Sequence, residues 1–541
     1  MKTTSRWQKT LYLDGTRFLL LAVLVMFVVF PFSRMVAGIG SGDFQKVLSS
    51  PSFVPAVKNS LRAALMTTPI SVSLGFVLAL CLQRTGIRGK EFLSVFLILP
   101  MLVPSISHST GLTVLFGTNG VLTNLLGLPG TIYGFRGIVA GSVLYSYPVA
   151  FLMFNDVLRY EDSSPYEAAQ VLGIPRRRQV TALTLPYLRT PLIASVFSVF
   201  TLVVTDYGVP MLIGGKTTTL AVLMYQEVLG QLDFGKGSVI GLFLLIPAFT
   251  AFVFNAVTKK APRLSYVTKP FSPGKNTLRD AAAGGFCAVV AAAVGALFLS
   301  FAVFAFAVRY PRDMSFTLKH LDFTLRLGGM DYLRNSVIIS IAVALLGTCL
   351  TFLTAYMTAR APSTRSSLCL HLVSMTSMAI PGLVLGLAYA LTFKGTAVYG
   401  TLAILILVNS MHFFASPYLM FYNSLSKINE NLESVGLTLG IHRVRLICGV
   451  IIPQSRTTFY EAASYFFVNS MMTISAVSFL AGYATRPISL MIGQFQDQTQ
   501  TECAAIVTLM ILLVNVLMKT AVYCMKKYAA RKGTGPVIQT R

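Results

Sequence analysis

The stretch EAAQVLGIPRRRQVTALTLP (residues 167–186) places a polar segment inside an otherwise apolar chain. It is preceded by Ser164, which the sequence predicts as the N-cap of a short helix, with Glu167 reaching back as in a capping box. Gly173 then ends this helix in a left-handed cap, because glycine adopts positive φ without steric cost. The segment therefore predicts a short helix that turns sharply at Gly173.

The second part of the segment is basic and ends on a proline. Pro175 opens a second helix that carries three consecutive arginines, residues 176–178, and Pro186 leads into the next apolar run. One interpretation is that the arginines only enforce topology and contact lipid phosphates, while Glu167 is only a cap. That interpretation does not explain why the same pattern occurs a second time.

The second copy lies in the C-terminal half of the chain. LGIPRRRQVTALTLPYLRT (172–190) aligns with LGIHRVRLICGVIIPQSRT (439–457) at a shift of 267 residues, with eight identities in nineteen positions; about one identity is expected from average residue usage. Upstream, NSL (59–61) matches NSV (335–337) at a shift of 276. The chain is therefore a parallel tandem duplication, and a solute path at the interface of such halves is a known arrangement.

The second copy keeps the geometry of the first but not its charge. A cap, a turn glycine, two basic residues and a proline recur at Asn431, Gly440, Arg443, Arg445 and Pro453. Ser434 takes the position of Glu167, and the nearest acid, Glu433, lies one residue earlier. Two rigid protrusions of this kind indicate a pseudo-symmetric or dimeric soluble partner beneath the membrane.

The composition places the chain in a bilayer. Of 541 residues, 54% are hydrophobic and 12% are charged, which is too apolar for an ordinary soluble domain. A span needs about 20 mostly apolar residues. We predict an all-helical integral membrane protein with about twelve spans, near 17–39, 59–83, 91–116, 135–158, 190–214, 237–258, 281–308, 335–359, 367–393, 400–423, 457–481 and 501–525.

The net charge of +25 is distributed along the chain rather than gathered in one patch. Basic residues alternate with the spans, and the loops on one side hold more of them, although 309–334 on the other side has five. By the positive-inside rule both termini are expected in the cytoplasm. The seven cysteines form no CxxC pair, which argues against a zinc site or a disulfide framework. The first apolar run is expected to be a retained span.

The polar segment resembles the EAA motif of the permeases of binding-protein-dependent ABC importers. Glu167-Ala168-Ala169, Gly173 and Leu185-Pro186 carry this resemblance, and Leu439-Gly440 with Ile452-Pro453 resembles a second copy. The resemblance implies a type I importer permease fold of two six-helix repeats, with coupling loops at 160–190 and 427–457. The residues implied in ATPase coupling are Glu167, Ala168, Ala169, Gly173, Arg176, Arg178, Pro186, Ser434, Gly440, Arg443, Arg445 and Pro453.

The same resemblance implies the partners and the class of solute. A dimer of a cytoplasmic ATP-binding subunit would dock on the coupling loops, and an external solute-binding protein would deliver the solute. TDYGVPMLIGG (205–215) and MMTISAVSFLAG (471–482) are most similar to the ferric-iron and 2-aminoethylphosphonate permeases of a group that includes thiamine permeases. Ferric iron or an organophosphonate is therefore the expected solute, and thiamine, polyamines and sugar phosphates are alternatives.

The expected layout follows the duplication. A tail, first span and outer loop occupy 1–55, and the two repeats occupy 56–258 and 331–525. The remaining segments are a cytoplasmic linker at 259–280, a seventh span with an outer loop at 281–330, and a basic cytoplasmic tail at 526–541.

The chain carries no constellation that would make it an enzyme. GGKT (214–217) lacks the first glycine of a phosphate-binding loop, since Pro210 stands at that position. The five histidines are isolated, and no HExxH or GxSxG pattern occurs. We therefore expect no metal or cofactor on this chain, with ATP and Mg bound by the partner subunit. A secondary carrier driven by an ion gradient is the rival of another class.

Ionisable residues inside a span are costly and often line a wet path. Asp206, at the end of the fifth predicted span, is the strongest candidate, although polar groups also serve as interhelical contacts. The weaker candidates are His108, Asn155, Asp156, His412, Asn469 and Thr473. Pro104 and Pro381 correspond between the repeats and are predicted to break their spans, which is tolerated where the backbone lines a cavity.

Overall fold

The computed structural model describes residues 14–127, 131–258, 274, 276–361, 364–429 and 431–531. Most of the predicted linker, 259–280, and the end of the basic tail lie outside the described residues. The described chain is helical except for turns and one antiparallel hairpin, Ala307–Arg309 with Asp313–Phe316. The all-helical membrane class is confirmed, with this hairpin as an addition.

The chain forms two compact units that do not follow chain order. The first-repeat unit contains residues 41–327 and 492–509, and the second-repeat unit contains 1–40, 328–491 and 510–541. The helix that precedes the first repeat therefore belongs to the second-repeat unit. Likewise, Thr277–Phe306, which precedes the second repeat, belongs to the first-repeat unit.

The first-repeat unit is built from helices of very different length. They are Asp43–Leu48, Phe53–Arg84, Lys90–Leu97, Leu99–Leu102 (3-10), Ser105–Phe116, Val121–Leu126, Phe135–Arg159, Ser164–Val171, Arg176–Gln179, Val180–Thr184 (π), Leu185–Tyr187, Arg189–Thr205, Gly208–Ile213, Leu220–Tyr225, Gln226–Gly230 (π), Phe234–Thr258, Thr277–Phe306 and Lys319–Arg326.

The core of this unit is the pair Phe53–Arg84, hereafter the first long helix, and Phe135–Arg159. The two backbones lie so close at Gly75 that a Cβ there would be 2.6 Å from the amide nitrogen of Phe151. Glycine therefore permits this approach. Small residues allow such contact in membranes, where packing rather than the hydrophobic effect holds helices together.

The second-repeat unit repeats this plan. Its helices are Asp14–Ala37, Gly329–Ala359, Arg365–Thr376, Ser377–Ala379 (3-10), Gly382–Phe393, Leu402–His412, Ala415–Leu425, Leu432–Thr438, Arg443–Leu446, Ile447–Ile451 (π) and Ile452–Met472. Two further helices, Ile488–Asp497 and Thr501–Arg531, are divided between the units.

The core of the second-repeat unit is Gly329–Ala359, hereafter the second long helix, packed against Ile452–Met472. A Cβ on Gly347 would lie 2.6 Å from the ring of Phe466, so glycine again permits close packing. The first described helix, Asp14–Ala37, contacts the rest of this unit near its start and at its middle: Arg17 donates to the Met357 carbonyl, and Tyr389 donates to the Phe27 carbonyl at 2.7 Å.

Among the described residues, six helices are long and apolar enough to span a membrane, or up to nine if each bent pair forms one span. About twelve continuous spans were expected from the apolar runs, and that number is not confirmed. The six helices are Asp14–Ala37, Phe53–Arg84, Phe135–Arg159, Thr277–Phe306, Gly329–Ala359 and Thr501–Ala529.

The other apolar runs are broken for local reasons. Pro104 and Pro381 each stand at the N-cap of a new helix, since proline cannot continue the preceding hydrogen-bond ladder. The two helices on either side of Pro381 form an angle of 106°. The predicted breaks at both prolines are confirmed, and hydropathy alone does not reveal how far such breaks bend a run.

Candidate functional site: the two coupling loops

The first coupling helix, Ser164–Val171, begins one residue earlier than predicted. Ser163 rather than Ser164 stands at the N-cap, because Asp162 accepts hydrogen bonds from the Ser164 amide and hydroxyl at 3.0 and 2.8 Å. The Ser163 hydroxyl donates to the Glu167 carboxylate at 3.0 Å. The Glu167 carboxylate therefore fixes the Ser163 side chain at the start of the coupling helix.

Each coupling helix ends at a glycine with positive φ, as predicted. Gly173 has φ of 68° and Gly440 has φ of 70°. In the first loop the Ile174 amide donates to the Ala169 carbonyl at 2.9 Å, and the second coupling helix, Leu432–Thr438, has the same bond from Ile441 to Gly436 at 2.8 Å. This is the Schellman arrangement, in which the C-terminal carbonyls are satisfied after a left-handed residue.

Beyond the glycine, both loops continue with the same sequence of elements. A short helix leads into a π-helical turn, Val180–Thr184 in the first loop and Ile447–Ile451 in the second. Pro186 and Pro453 are each the second residue of the following helix, directly after the π turn, so the missing amide of proline falls where the regular helical hydrogen-bond pattern already changes. The π turns were not anticipated from the sequence.

The outer surfaces of the coupling helices are defined here as docking faces. In the first loop Glu167 and Ala168 are exposed, whereas Ala169 is buried. The second loop has the same register, with Ser434 and Val435 exposed and Gly436 buried. Apolar side chains are strongly exposed at both tips, as shown by Val171 (88%), Leu172 (75%), Leu439 (69%) and Leu437 (56%).

The predicted basic residues occupy different environments. Arg178 and Arg445 are exposed, whereas Arg443 is half-buried with its guanidinium 5.8 Å from the ring centre of Tyr356 on the second long helix. The side chain of Arg176 lies outside the described residues. Arg443 thus contacts the bundle of its own repeat.

A second group of residues ties the first loop to the bundle. Arg84, the last residue of the first long helix, forms a salt bridge with Glu161 and donates to the Tyr166 hydroxyl at 2.9 Å. Tyr166 lies on the coupling helix, donates to Glu161 and also contacts the Thr184 hydroxyl at 2.8 Å. We call Arg84, Glu161 and Tyr166 the first clamp.

The second loop has an equivalent attachment, the second clamp, formed by Arg360 and Glu433. Arg360 directly follows the second long helix, and its guanidinium donates two hydrogen bonds to the Glu433 carboxylate at 2.9 and 2.5 Å. It also donates to the Ile428 and Asn429 carbonyls at 2.6 and 2.7 Å. Only 2% of the arginine side chain is exposed.

The sequence carries a signal for the clamps in the spacing of their arginines. Arg84 and Arg360 are separated by 276 residues, which is the shift that aligns the starts of the long helices. At the loop shift of 267, Tyr166 corresponds to Glu433. Glu433 is therefore no displaced copy of Glu167, because it faces inward from the position that Tyr166 takes in the first loop.

Burial affects the titration of the first clamp. It raises the pKa of Glu161 above its ordinary value, against the opposing effects of the Tyr166 hydrogen bond and the Arg84 charge. Burial and the neighbouring Glu161 carboxylate raise the pKa of Tyr166 to about 12. The tyrosine therefore keeps its proton and remains a donor at neutral pH.

Asp206 lies at a break between two helices. Its carboxylate accepts hydrogen bonds from the Ser105 hydroxyl at 2.6 Å and from the Val209 amide at 3.0 Å. The carboxylate thereby satisfies the start of the helix Gly208–Ile213, as acidic caps do. This placement joins two helices of the first-repeat unit beside the break at Pro104.

The two candidate histidines both lie beside the proline breaks. His108 is fully buried, with Nδ1 3.2 Å from the Ser105 carbonyl. A Cβ on Gly382, next to Pro381, would lie 3.0 Å from Nε2 of His412. Within the described residues, one ring nitrogen of each histidine is buried without a hydrogen-bond partner, and no three His, Cys, Asp or Glu side chains lie close enough together to hold a metal ion.

The remaining path candidates make local contacts. Asn155 accepts from Gln83 at 2.8 Å and so joins two helices, whereas Asp156 is exposed near the end of its helix. Asn469 donates to the Tyr465 carbonyl of its own helix at 2.8 Å. Thr473 ends that helix and has a carbonyl that accepts from Ser489. The contacts of Asn155, Asn469 and Thr473 each stay within one unit.

Comparison with known proteins decides the family. The family model described as "Binding-protein-dependent transport system inner membrane component" matches residues 71–265 and 347–527. The chain belongs to this family. The two matched segments are the two repeats, and each contains one clamp and one coupling loop.

Several curated proteins resemble the chain. A protein of Haemophilus influenzae named as a ferric transport system permease, FbpB 1, is 25% identical over 510 residues, which are 88% of this chain and 80% of that protein. The ferric transport system permease FbpB of Actinobacillus pleuropneumoniae is 26% identical over 82% of this chain and 66% of that protein. A protein of Salmonella typhi named as a 2-aminoethylphosphonate transport system permease, PhnU, is 25% identical over 38% of this chain and 75% of that protein.

These findings establish what kind of protein the chain is. It is a multi-pass membrane permease of a binding-protein-dependent ABC importer, with its two repeats fused in one chain. Its relatives are transport proteins rather than enzymes. The family and function predicted from the EAA motif and the duplication are confirmed.

Proposed function

We propose that this permease forms the translocation path of an ATP-driven importer and opens it to either side in turn. The observation that carries the proposal is the repeated docking face. Both loops present exposed apolar side chains at the end of a short helix that stops at a glycine of positive φ. Exposed apolar patches on a polar surface mark contacts with other proteins, and two pseudo-equivalent patches suit an ATPase dimer.

The proposed mechanism needs no bond chemistry on this chain. The ATPase subunits would bind ATP and Mg and close, moving the two docking faces, and the bundle would change between two arrangements. Hydrolysis would reset the ATPase dimer. The coupling loops and both termini would then lie in the cytoplasm, in agreement with the excess of basic residues on that side.

We propose ferric iron as the solute. The support is that the ferric permeases match over both repeats, 88% and 82% of the chain, whereas the 2-aminoethylphosphonate permease matches 38%. An organophosphonate is the alternative, followed by thiamine, polyamines and sugar phosphates. Asp206, His108 and His412, together with Asn155, Asp156, Asn469 and Thr473, stay proposed contacts of the path.

The experiment is uptake into proteoliposomes that hold the permease with the ATPase that copurifies with it. The lumen carries ATP, and the external binding protein of the host is added with radioactive ferric iron or labelled 2-aminoethylphosphonate. We expect ferric iron uptake that requires both the binding protein and hydrolysable ATP. Uptake driven by a proton gradient without ATP would contradict the importer mechanism, and uptake of the phosphonate alone would replace iron as the solute.

A further inference from the structure

We propose that Arg84 and Arg360 are positioning residues that transmit the movement of the coupling loops to the long helices. This inference rests on the proposed function and adds the connection by which an ATPase beneath the membrane acts on the bundle. The connection is the pair of clamps, Arg84 with Glu161 and Tyr166, and Arg360 with Glu433.

The two clamps use the same arginine–glutamate ion pair but place the acid at different positions. In both, the guanidinium comes from the cytoplasmic end of a long helix and its partners come from the loop. In the first clamp the acid lies just before the coupling helix, and a tyrosine on the helix completes the contact. In the second clamp the acid lies on the helix itself. A contact kept in both repeats with different residues indicates that the attachment is required.

Burial makes each attachment stiff. The side chain of Glu161 is 4% exposed and that of Glu433 is 10% exposed, so little water reaches either carboxylate. Separating a buried ion pair leaves an uncompensated charge, and that is strongly unfavourable. The Arg360 guanidinium also meets the Glu433 carboxylate in the bidentate geometry that fixes orientation as well as distance. Each loop and its long helix should therefore move together.

The long helices are suited to carry this movement through the bilayer. The first has 32 residues and is about 48 Å long at 1.5 Å per residue, which exceeds the hydrocarbon core of about 30 Å. Each packs along the helix that leads to, or follows, its own coupling loop. A displacement at the clamp is thereby applied to the central helix pair of the repeat.

The test measures solute taken up per ATP hydrolysed in proteoliposomes containing the whole complex. The variants are Arg84→Gln, Glu161→Gln and the exchanged pair Arg84→Glu with Glu161→Arg, in which the new carboxylate can still accept from Tyr166. Arg360→Gln and Arg360→Lys probe the second clamp. Lys526→Gln is the control, since it removes an ion pair with Glu461 in the second-repeat unit without touching a coupling loop.

We expect the three single Gln variants to lower the ratio about tenfold, within the range of coupling free energies between sites, while ATP hydrolysis continues. The exchanged pair should restore most of the ratio, and Lys526→Gln should keep it. Arg360→Lys should restore only part of the ratio, because an ammonium keeps the charge but not the bidentate contact. Retention of the wild-type ratio in the single variants would overturn the inference, as would an exchanged pair as defective as they are. If a single variant does not fold, the exchanged pair and Arg360→Lys decide. Absence of ATP-dependent uptake in the wild type would instead refute the proposed function.

Discussion

The two coupling loops have the same backbone conformation but differ in the placement of their charged side chains. Both have a helix, a glycine of positive φ, a π turn and a proline at matching positions. On the docking face, Glu167 in the first loop is replaced by Ser434 in the second. On the inner face, the acid moves from Glu161 to Glu433 and the arginine is kept.

The comparison distinguishes the features that occur in both coupling loops from the outward acid, which occurs in one. The turn geometry and an inward guanidinium contact occur in both repeats, so under the proposed mechanism we expect both to be required. The outward acid occurs in one repeat, so the proposed docking on an ATPase subunit should need only one such contact. The predictions below challenge this division, from the largest expected effect to the smallest.

The largest effect is expected from removing the guanidinium of the second clamp. Arg360→Gln leaves the Glu433 carboxylate buried without its partner, which costs about 3 to 5 kcal/mol of unfolding free energy. Arg84→Gln should cost less, because the Arg84 side chain is 16% exposed and that of Arg360 is 2% exposed. Thermal unfolding in detergent, followed for both variants, gives the order. The reverse order would show that burial does not set the strength of the clamps.

The first clamp can be rebuilt in the pattern of the second. Glu161→Gln weakens a hydrogen-bonded ion pair and should cost about 1.5 to 3 kcal/mol. Adding Tyr166→Glu places the acid where Glu433 stands in the second loop, so the double variant should recover uptake. Transport assays of the single and double variants provide the measurement. If the double variant takes up less solute than Glu161→Gln alone, the two clamps are not interchangeable.

The turn glycines should be equally sensitive in both loops. Gly173→Val and Gly440→Val force a branched side chain into the left-handed region, at about 1 to 2 kcal/mol each. No heavy atom lies within 4 Å of a Cβ at either site, so the cost is conformational rather than steric. Uptake should fall while ATP hydrolysis continues. Gly285→Val is the control, since its surroundings are equally open and it lies in a regular helix. Full coupling in both loop variants would count against the rigid turn.

The outward acid should affect partner binding modestly. Glu167→Ser copies the second loop and should weaken binding of the ATPase about threefold to fivefold, as expected for an exposed charge contact. Ser434→Glu should not weaken it. Affinity is measured between the purified permease in detergent and the purified ATPase subunit. If Glu167→Ser and Ser434→Glu lower the affinity for the ATPase subunit equally, the charge difference between the docking faces does not matter for binding.

The smallest effect concerns pH. Burial raises the pKa of Glu161 in the folded protein, so between the unfolded and folded pKa values the folded state binds more protons. The free energy of unfolding therefore falls as the pH rises through this window. The difference in thermal midpoint between wild type and Glu161→Gln, followed from acidic to neutral pH, should show this trend. A difference that grows with pH in the opposite direction would mean that the Arg84 charge outweighs burial.

Local features of the loops were predictable from the sequence. Gly173 and Gly440 stand where a left-handed residue must end a helix, and Pro104 and Pro381 break their spans because proline lacks an amide. The shift of 267 residues between the repeats located both loops in the sequence. Six spans were also predictable because their apolar runs are uninterrupted.

The clamps and the bends follow from tertiary contacts that periodicity does not report. Hydropathy marks 367–393 as apolar but does not show that its two helices form an angle of 106°. Glu433 lies next to the position of the motif glutamate in sequence but faces inward, and sequence spacing does not show which side of a short helix meets the bundle. The matching arginines, Arg84 and Arg360, were the available signal.

The most direct test of the account is the stoichiometry of the complex isolated in mild detergent, measured by native mass spectrometry. If both docking faces bind an ATPase subunit, the intact complex contains two ATPase copies for each permease chain. Glu167→Ser should leave this number unchanged and shift only the concentration at which it is reached. A complex with one copy, or a permease recovered alone while a control importer stays assembled, would contradict the claim that the duplicated loops are two docking sites.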